Sequence, residues 1–129
     1  MRPRMPFRCV DVAEFDELRR RGALVLDARD AKAFAASRIG DAAPLSSATL
    51  STLIARTPRS RPIAIYCYHG NASREYAAIF ADFGFADVVS LDGGYEAWVA
   101  AFGTPSTQAE PDVNAVAAPR SGDRRGGRS

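Results

Sequence analysis

The sequence predicts an α/β domain with a parallel sheet covered by helices on both faces. Three observations carry this. Short, wholly apolar runs, Ala23–Asp27 and Pro62–Cys67, lack the alternation of a sheet with one wet face, so they suit strands buried on both sides. Segments of helical pattern, 8 to 12 residues long, separate the strands, as βαβ units require. The 129-residue chain is 47% hydrophobic, enough to build one core of ordinary domain size without disulfides.

Each element follows in chain order. Residues 7–10, Phe-Arg-Cys-Val, form a short first strand. Asp11 with Glu14 three residues later is a variant capping box, and the helix it opens runs to about Arg21, with Gly22 as its stop. The strand at 23–27 comes next, then an alanine-rich helix over 30–37 and an extended piece at Pro44–Leu45. Residues 46–56 are expected to be helical. The strand 62–67 leads into a helix over 72–83 that ends at Gly84. A third strong strand spans 87–91. Asp92-Gly-Gly is expected to be a turn, and a last helix spans 95–102 with Gly103 as its stop.

After Gly103 the pattern changes. Residues 104–129 contain no aromatic residue and three prolines and have no apolar face, so they are expected to form a disordered Pro/Ala/Arg-rich tail beyond a folded domain at 7–103. The net charge of +2 belongs to the ends. Three arginines lie in the first eight residues and the tail is +1, which leaves 9–103 at −2. A mildly acidic body is not expected to bind nucleic acid. Lys32 is the only lysine, and the arginine and alanine usage fits a GC-rich coding bias. No apolar run approaches the ~20 residues of a membrane span. The basic N-terminus leads to no apolar stretch, so neither a secretory signal nor a membrane partner is expected and a cytoplasmic location is. Two cysteines and a single histidine make a structural metal site improbable. No cofactor is expected.

In a parallel α/β sheet, ligands bind beyond the carboxyl ends of the strands. There the sequence offers Tyr66-Cys67-Tyr68-His69-Gly70-Asn71-Ala72-Ser73-Arg74, a strand that stops at a cysteine and a tight loop that enters a helix. Gly70 and Asn71 are residue types that tolerate positive φ, so the loop can curl over the sulfur and aim its N–H groups inward. With the first turn of the next helix, that setting favours a thiolate. A buried structural cysteine is the alternative. His69 is expected to face solvent or the substrate mouth, since no third residue orients it as a triad would require.

These residues resemble the rhodanese domain, and most of all its short, single-domain bacterial thiosulfate sulfurtransferases. The resemblance is carried in order by Phe7–Ala13, by Leu24–Asp30 with its Asp-x-Arg strand end, by Phe34–Ala42, by the Cys67–Ser73 loop, and by Phe83–Trp98. It implies a five-stranded parallel sheet and ping-pong transfer of sulfane sulfur. Cys67 would take the outer sulfur of thiosulfate as a persulfide, held by the amides of residues 68–73. Cyanide or a thiol would then accept it, with a thioredoxin-like reductant as a further partner. Tyr68, His69, Gly70, Asn71, Ala72, Ser73 and Arg74 would bind substrate. Asp27 and Arg29 would brace the loop as an internal ion pair.

Many family members carry arginine where Tyr68 and Ala72 stand, but the short bacterial members also lack it. Those members usually have serine in place of Ala72, so a weaker hold on thiosulfate is expected. Arg38 replaces a usual histidine at a position that looks structural. Three rival readings use the same cysteine or the same fold. A cysteine phosphatase or arsenate reductase needs Cys-x5-Arg, but the arginine here is one place late, at Arg74. A non-catalytic binding module would lack the cysteine. A persulfide relay to a protein acceptor uses the same residues as thiosulfate turnover. Trp98 is expected in the core. Cys9, on an edge strand, is expected to be inert rather than a resolving thiol.

Overall fold

A computed structural model of the chain describes residues 7–105. Apart from Thr104 and Pro105, the expected tail at 104–129 lies outside the described residues. The elements are β1 (Arg8–Val10), α1 (Val12–Arg20), β2 (Leu24–Asp27), α2 (Ala31–Ala36), β3 (Ala43–Pro44), α3 (Leu50–Arg56), β4 (Ile63–Tyr66), α4 (Asn71–Asp82), β5 (Val88–Leu91) and α5 (Gly94–Phe102). The five strands form one parallel sheet in the order β1-β5-β4-β2-β3. No helix among the described residues is long and apolar enough to cross a membrane.

Strand periodicity divides the core in two. On β4, Ala64 and Tyr66 join Phe15 of α1 and Trp98 of α5 on one face, while Ile63 and Ile65 join Ile54 of α3 and Phe80 of α4 on the other. Phe15 and Phe80 are fully buried, each stabilising the fold by about 1.5–3 kcal/mol relative to exposure. Trp98 sits in this core, edge-on to Phe15. By the same parity Cys67, one step beyond Tyr66, belongs to the α4 face, as does Ser90 of β5 two places after Val88.

Three local expectations are corrected. The helix expected from Ser46 begins at Leu50. Residues 46–49 instead form a turn in which the Thr49 hydroxyl donates to the Pro44 carbonyl and the Ala48 N–H donates to Ser46 Oγ. Asp11 caps α1 by accepting from the Glu14 N–H at 2.9 Å, but the Glu14 carboxylate turns away to Arg8, so only half of a capping box forms. Asn71 does not take positive φ. It is the first residue of α4, and Gly70, with φ of 104°, makes the left-handed turn alone.

Candidate active site

The site lies at the carboxyl end of β4, where the buried strand Ile63–Tyr66 delivers Cys67 to the entrance of α4. Gly70 reverses the chain there. A Cβ on Gly70 would stand 3.2 Å from the Gly93 nitrogen and 3.3 Å from the Leu91 carbonyl oxygen, so the turn is pressed against the end of β5. The result is a small cradle. The Gly70 N–H donates to Cys67 Sγ at 3.1 Å and the Ser73 N–H donates at 3.3 Å. The Ser73 hydroxyl lies 3.4 Å from the same sulfur. Cys67 is only 4% exposed but lines an open depression of about 190 Å³ with Ala28, Tyr68, His69, Asn71 and Ala72.

Burial acts to push the Cys67 thiol up. Hydrogen bonding with the Ser73 hydroxyl and from the Ser73 and Gly70 amides, with the His69 N–H dipole beside them, outweighs it and holds the thiol below its ordinary value. The stabilising groups are main-chain dipoles and one hydroxyl, with no cation at the sulfur among the described residues.

The outer side of the loop is held by α5. The Tyr95 N–H donates to the Cys67 carbonyl at 2.7 Å and the Glu96 N–H to the Tyr68 carbonyl at 3.2 Å. Both carbonyls therefore point away from the sulfur, which leaves the loop N–H groups to face it. The approach is close. A Cβ on Gly94 would come within 2.5 Å of the Cys67 carbonyl oxygen.

The other candidate residues fall at different depths. Tyr68 forms one wall of the depression, with its hydroxyl donating to Asp30 at 2.5 Å. His69 is 66% exposed at its side chain and meets Glu96, Nδ1 to Oε1 3.3 Å, rather than Cys67. Asn71 and Ala72 are exposed on the rim. Arg74 turns outward to Asp92, 3.7 Å away, and does not line the depression.

Asp27 and Arg29 are buried behind it. Their side chains, 0% and 3% exposed, meet through Nη2 and Oδ2 at 2.7 Å. Asp27 also accepts from the Tyr66 hydroxyl at 2.6 Å and from the Arg29 N–H at 2.8 Å. The Arg29 guanidinium lies 3.9 Å from the centre of the Tyr95 ring and donates to the Ser37 carbonyl, while Ser37 Oγ and the Tyr95 hydroxyl are hydrogen-bonded. The ion pair thus bears on the residue whose N–H holds Cys67.

Cys9 stands opposite Ser90 on β5, and β5 separates it from β4 and Cys67. Two strand spacings, roughly 9–10 Å, exceed the reach of a disulfide. Both cysteines are free.

Four contributors escaped the sequence reading: Ser90, Tyr66, and the main chain of Tyr95 and Glu96. Ser90 had a signal, a lone hydroxyl in an otherwise apolar buried strand. Tyr66 is the only residue with a polar side-chain group in β4, and its hydroxyl accepts from the Ile39 N–H at 3.0 Å besides donating to Asp27.

The parallel α/β sheet and the cysteine loop at its carboxyl edge define a class that comparison with known proteins makes explicit. Residues 11–101 match the family model described as the rhodanese-like domain, and the chain belongs to that family. Among curated relatives, the thiosulfate sulfurtransferase GlpE of Pseudomonas savastanoi pv. phaseolicola is 35% identical over 102 residues, covering 79% of this chain and 96% of its own. The protein of the same name from Ectopseudomonas mendocina is 38% identical, covering 79% and 94%. The crystal structure of a rhodanese-related protein from Thermoplasma volcanium shares the fold, with a TM-score of 0.65 at 22% identity over 74% of this chain and 94% of that one.

Proposed function

We propose that this chain is a sulfurtransferase that moves sulfane sulfur from thiosulfate to cyanide or a thiol through a persulfide on Cys67. The observation that carries the reading is the set of two N–H groups and one hydroxyl converging on a single, reachable sulfur. The relatives named thiosulfate sulfurtransferase support the class of reaction.

In the first step the Cys67 thiolate attacks the outer sulfur of thiosulfate. A new S–S bond forms, the old one breaks, and sulfite leaves with the bonding pair. The outer sulfur carries the negative charge of the persulfide, and the loop amides of residues 68–73 supply dipoles to offset it. In the second step cyanide or a thiolate bonds to the outer sulfur. The Cys67–sulfur bond breaks and Cys67 departs as thiolate, so the enzyme returns to its starting state without a cofactor. Such a cycle keeps Cys67 reduced between turnovers, which suits a cytoplasmic enzyme served by a thioredoxin-like thiol.

The phosphatase reading receives no support from Arg74. Its guanidinium faces Asp92 outside the depression rather than the space over Cys67 where a phosphate would sit.

The test is the mass of the intact protein after incubation with thiosulfate, followed by a cyanide chase. The expected result is a gain of one sulfur atom on Cys67 and its release as thiocyanate. A protein that gains no sulfur from thiosulfate overturns this donor assignment.

A further inference from the structure

β5 is buried along its whole length and reads Val-Val-Ser-Leu. Its one polar side chain, Ser90, is 1% exposed. Ser90 Oγ lies 2.7 Å from Ser73 Oγ, and Ser73 Oγ lies 3.4 Å from Cys67 Sγ. The two hydroxyls and the sulfur form a buried file between β5, the first turn of α4 and the end of β4.

Each hydroxyl has one proton to give. Head to tail, the file can run in two directions; a third arrangement, with Ser73 accepting from both neighbours, leaves the Ser73 proton without an acceptor among the described residues. In one, the Cys67 thiol donates to Ser73 and Ser73 donates to Ser90. The Ser90 proton then has no acceptor, because Ser90 Oγ has no other hydrogen-bond partner among the described residues. In the other, Ser90 donates to Ser73 and Ser73 donates to the sulfur. Every proton is then used, but only if the sulfur accepts, as a thiolate does. A buried hydroxyl proton without an acceptor is costly, so the file favours the second direction.

We propose that Ser90 is a positioning residue: by donating to Ser73 Oγ it turns the Ser73 proton onto Cys67 Sγ and holds that sulfur as a thiolate. This rests on the sulfurtransferase reading only for its consequence. Thiolate is the attacking species in the first step and the departing species in the second, so one hydroxyl file serves both.

The test measures the pH dependence of Cys67 alkylation by iodoacetamide, with the modified residue located by mass. The Cys9→Ser background removes the exposed second thiol. In Ser90→Ala the alkylation midpoint moves up by about half a unit, which is about threefold less thiolate below the midpoint. Ser90→Thr, which keeps a hydroxyl, moves back toward the parent. The Ser73→Ala/Ser90→Ala double variant shows no larger displacement than Ser73→Ala alone, since Ser90 acts through Ser73. An unchanged midpoint in Ser90→Ala with a lowered melting temperature overturns the proposal and leaves Ser90 a packing residue. Additive displacements in the double variant overturn it as well. If Ser90→Ala does not fold, the isosteric pair Ser90→Thr and Ser90→Val gives the same comparison. Alkylation needs no sulfur donor. Failure of thiosulfate loading therefore counts against the donor, and failure of the midpoint shift counts against Ser90.

Discussion

The main-chain N–H of Tyr95 donates to the carbonyl oxygen of Cys67 at 2.7 Å, so the cysteine is anchored from behind by the first turn of the last helix. The anchor requires the two backbones to nearly touch, and Gly94 lets them. At a φ of 60°, a Cβ there would stand 2.5 Å from the Cys67 carbonyl oxygen and 2.6 Å from the Tyr68 carbonyl group.

Gly94→Ala should therefore displace the loop rather than merely strain the turn. The expected cost in stability is about 1–3 kcal/mol, read by urea unfolding. Sulfur loading should slow on the order of a hundredfold, because a shift of an ångström misaligns an attacking atom. Parent-like loading kinetics in a folded Gly94→Ala protein would show that the contact does not shape the cradle.

Cys67→Ser should bring sulfur loading and thiocyanate formation to background while the melting curve stays cooperative. Cys9→Ser should leave both reactions at parent rates, because Cys9 stands two strands away. An equal loss in the two variants, measured side by side with thiosulfate and cyanide, would revive a redox pair.

Arg29→Ala leaves the Asp27 carboxylate buried with its main cationic partner gone. A destabilisation of about 3–5 kcal/mol is expected from that uncompensated charge. Chemical denaturation reads it directly. Arg29→Lys should rescue only part of it, since an ammonium cannot reproduce the flat stacking on Tyr95 or the paired bonds to Asp27.

The Cys67 thiol is held below its ordinary value in the folded chain by bonds that outweigh burial. Its ionised form therefore favours folding. That contribution is complete above the ordinary thiol value and fades as pH falls through the lowered one. Unfolding free energy should rise with pH across this window in the parent, and the rise should be smaller in Cys67→Ser. Equal slopes in the two proteins, from denaturation at a series of pH values, would refute it.

Ala72 stands on the rim with no polar side-chain atom. Ala72→Ser adds a hydroxyl beside the depression over Cys67. The KM for thiosulfate should fall severalfold, while the pH midpoint of Cys67 alkylation stays where it is. A shift in that midpoint would mean that the new hydroxyl reaches the sulfur itself.

Much of this architecture could be read from residue patterns. The apolar runs before Asp27, Cys67 and Asp92 placed three strands, and their helix-length spacing implied the parallel sheet. Gly22, Gly84 and Gly103 marked helix ends. Boundaries failed where side chains compete with the backbone, as at Ser46 and Thr49, whose hydroxyls build a turn from residues of adequate helical pattern. At the site, Cys67 and its loop were visible as a strand end followed by a glycine turn. The bonds from Tyr95 and Glu96 were not visible, because a main-chain donor leaves no mark on residue identity. Asp92-Gly-Gly therefore looked like an ordinary turn. The Ser90–Ser73 contact joins residues 17 apart on different elements, brought together by the register of β5 against β4 and the packing of α4 on β5.

Because the groups that face the sulfur are mostly peptide N–H groups, replacing a neighbouring side chain cannot delete them. Tyr68, His69, Asn71 and Ala72 can change while the reactive centre persists. The fold therefore separates two kinds of inheritance. The setting of the sulfur is written in the course of the chain, and the shape of the rim is written in the side chains. Under the proposed sulfur transfer, a lineage carrying this loop would try new acceptors one rim substitution at a time without passing through an inert ancestor.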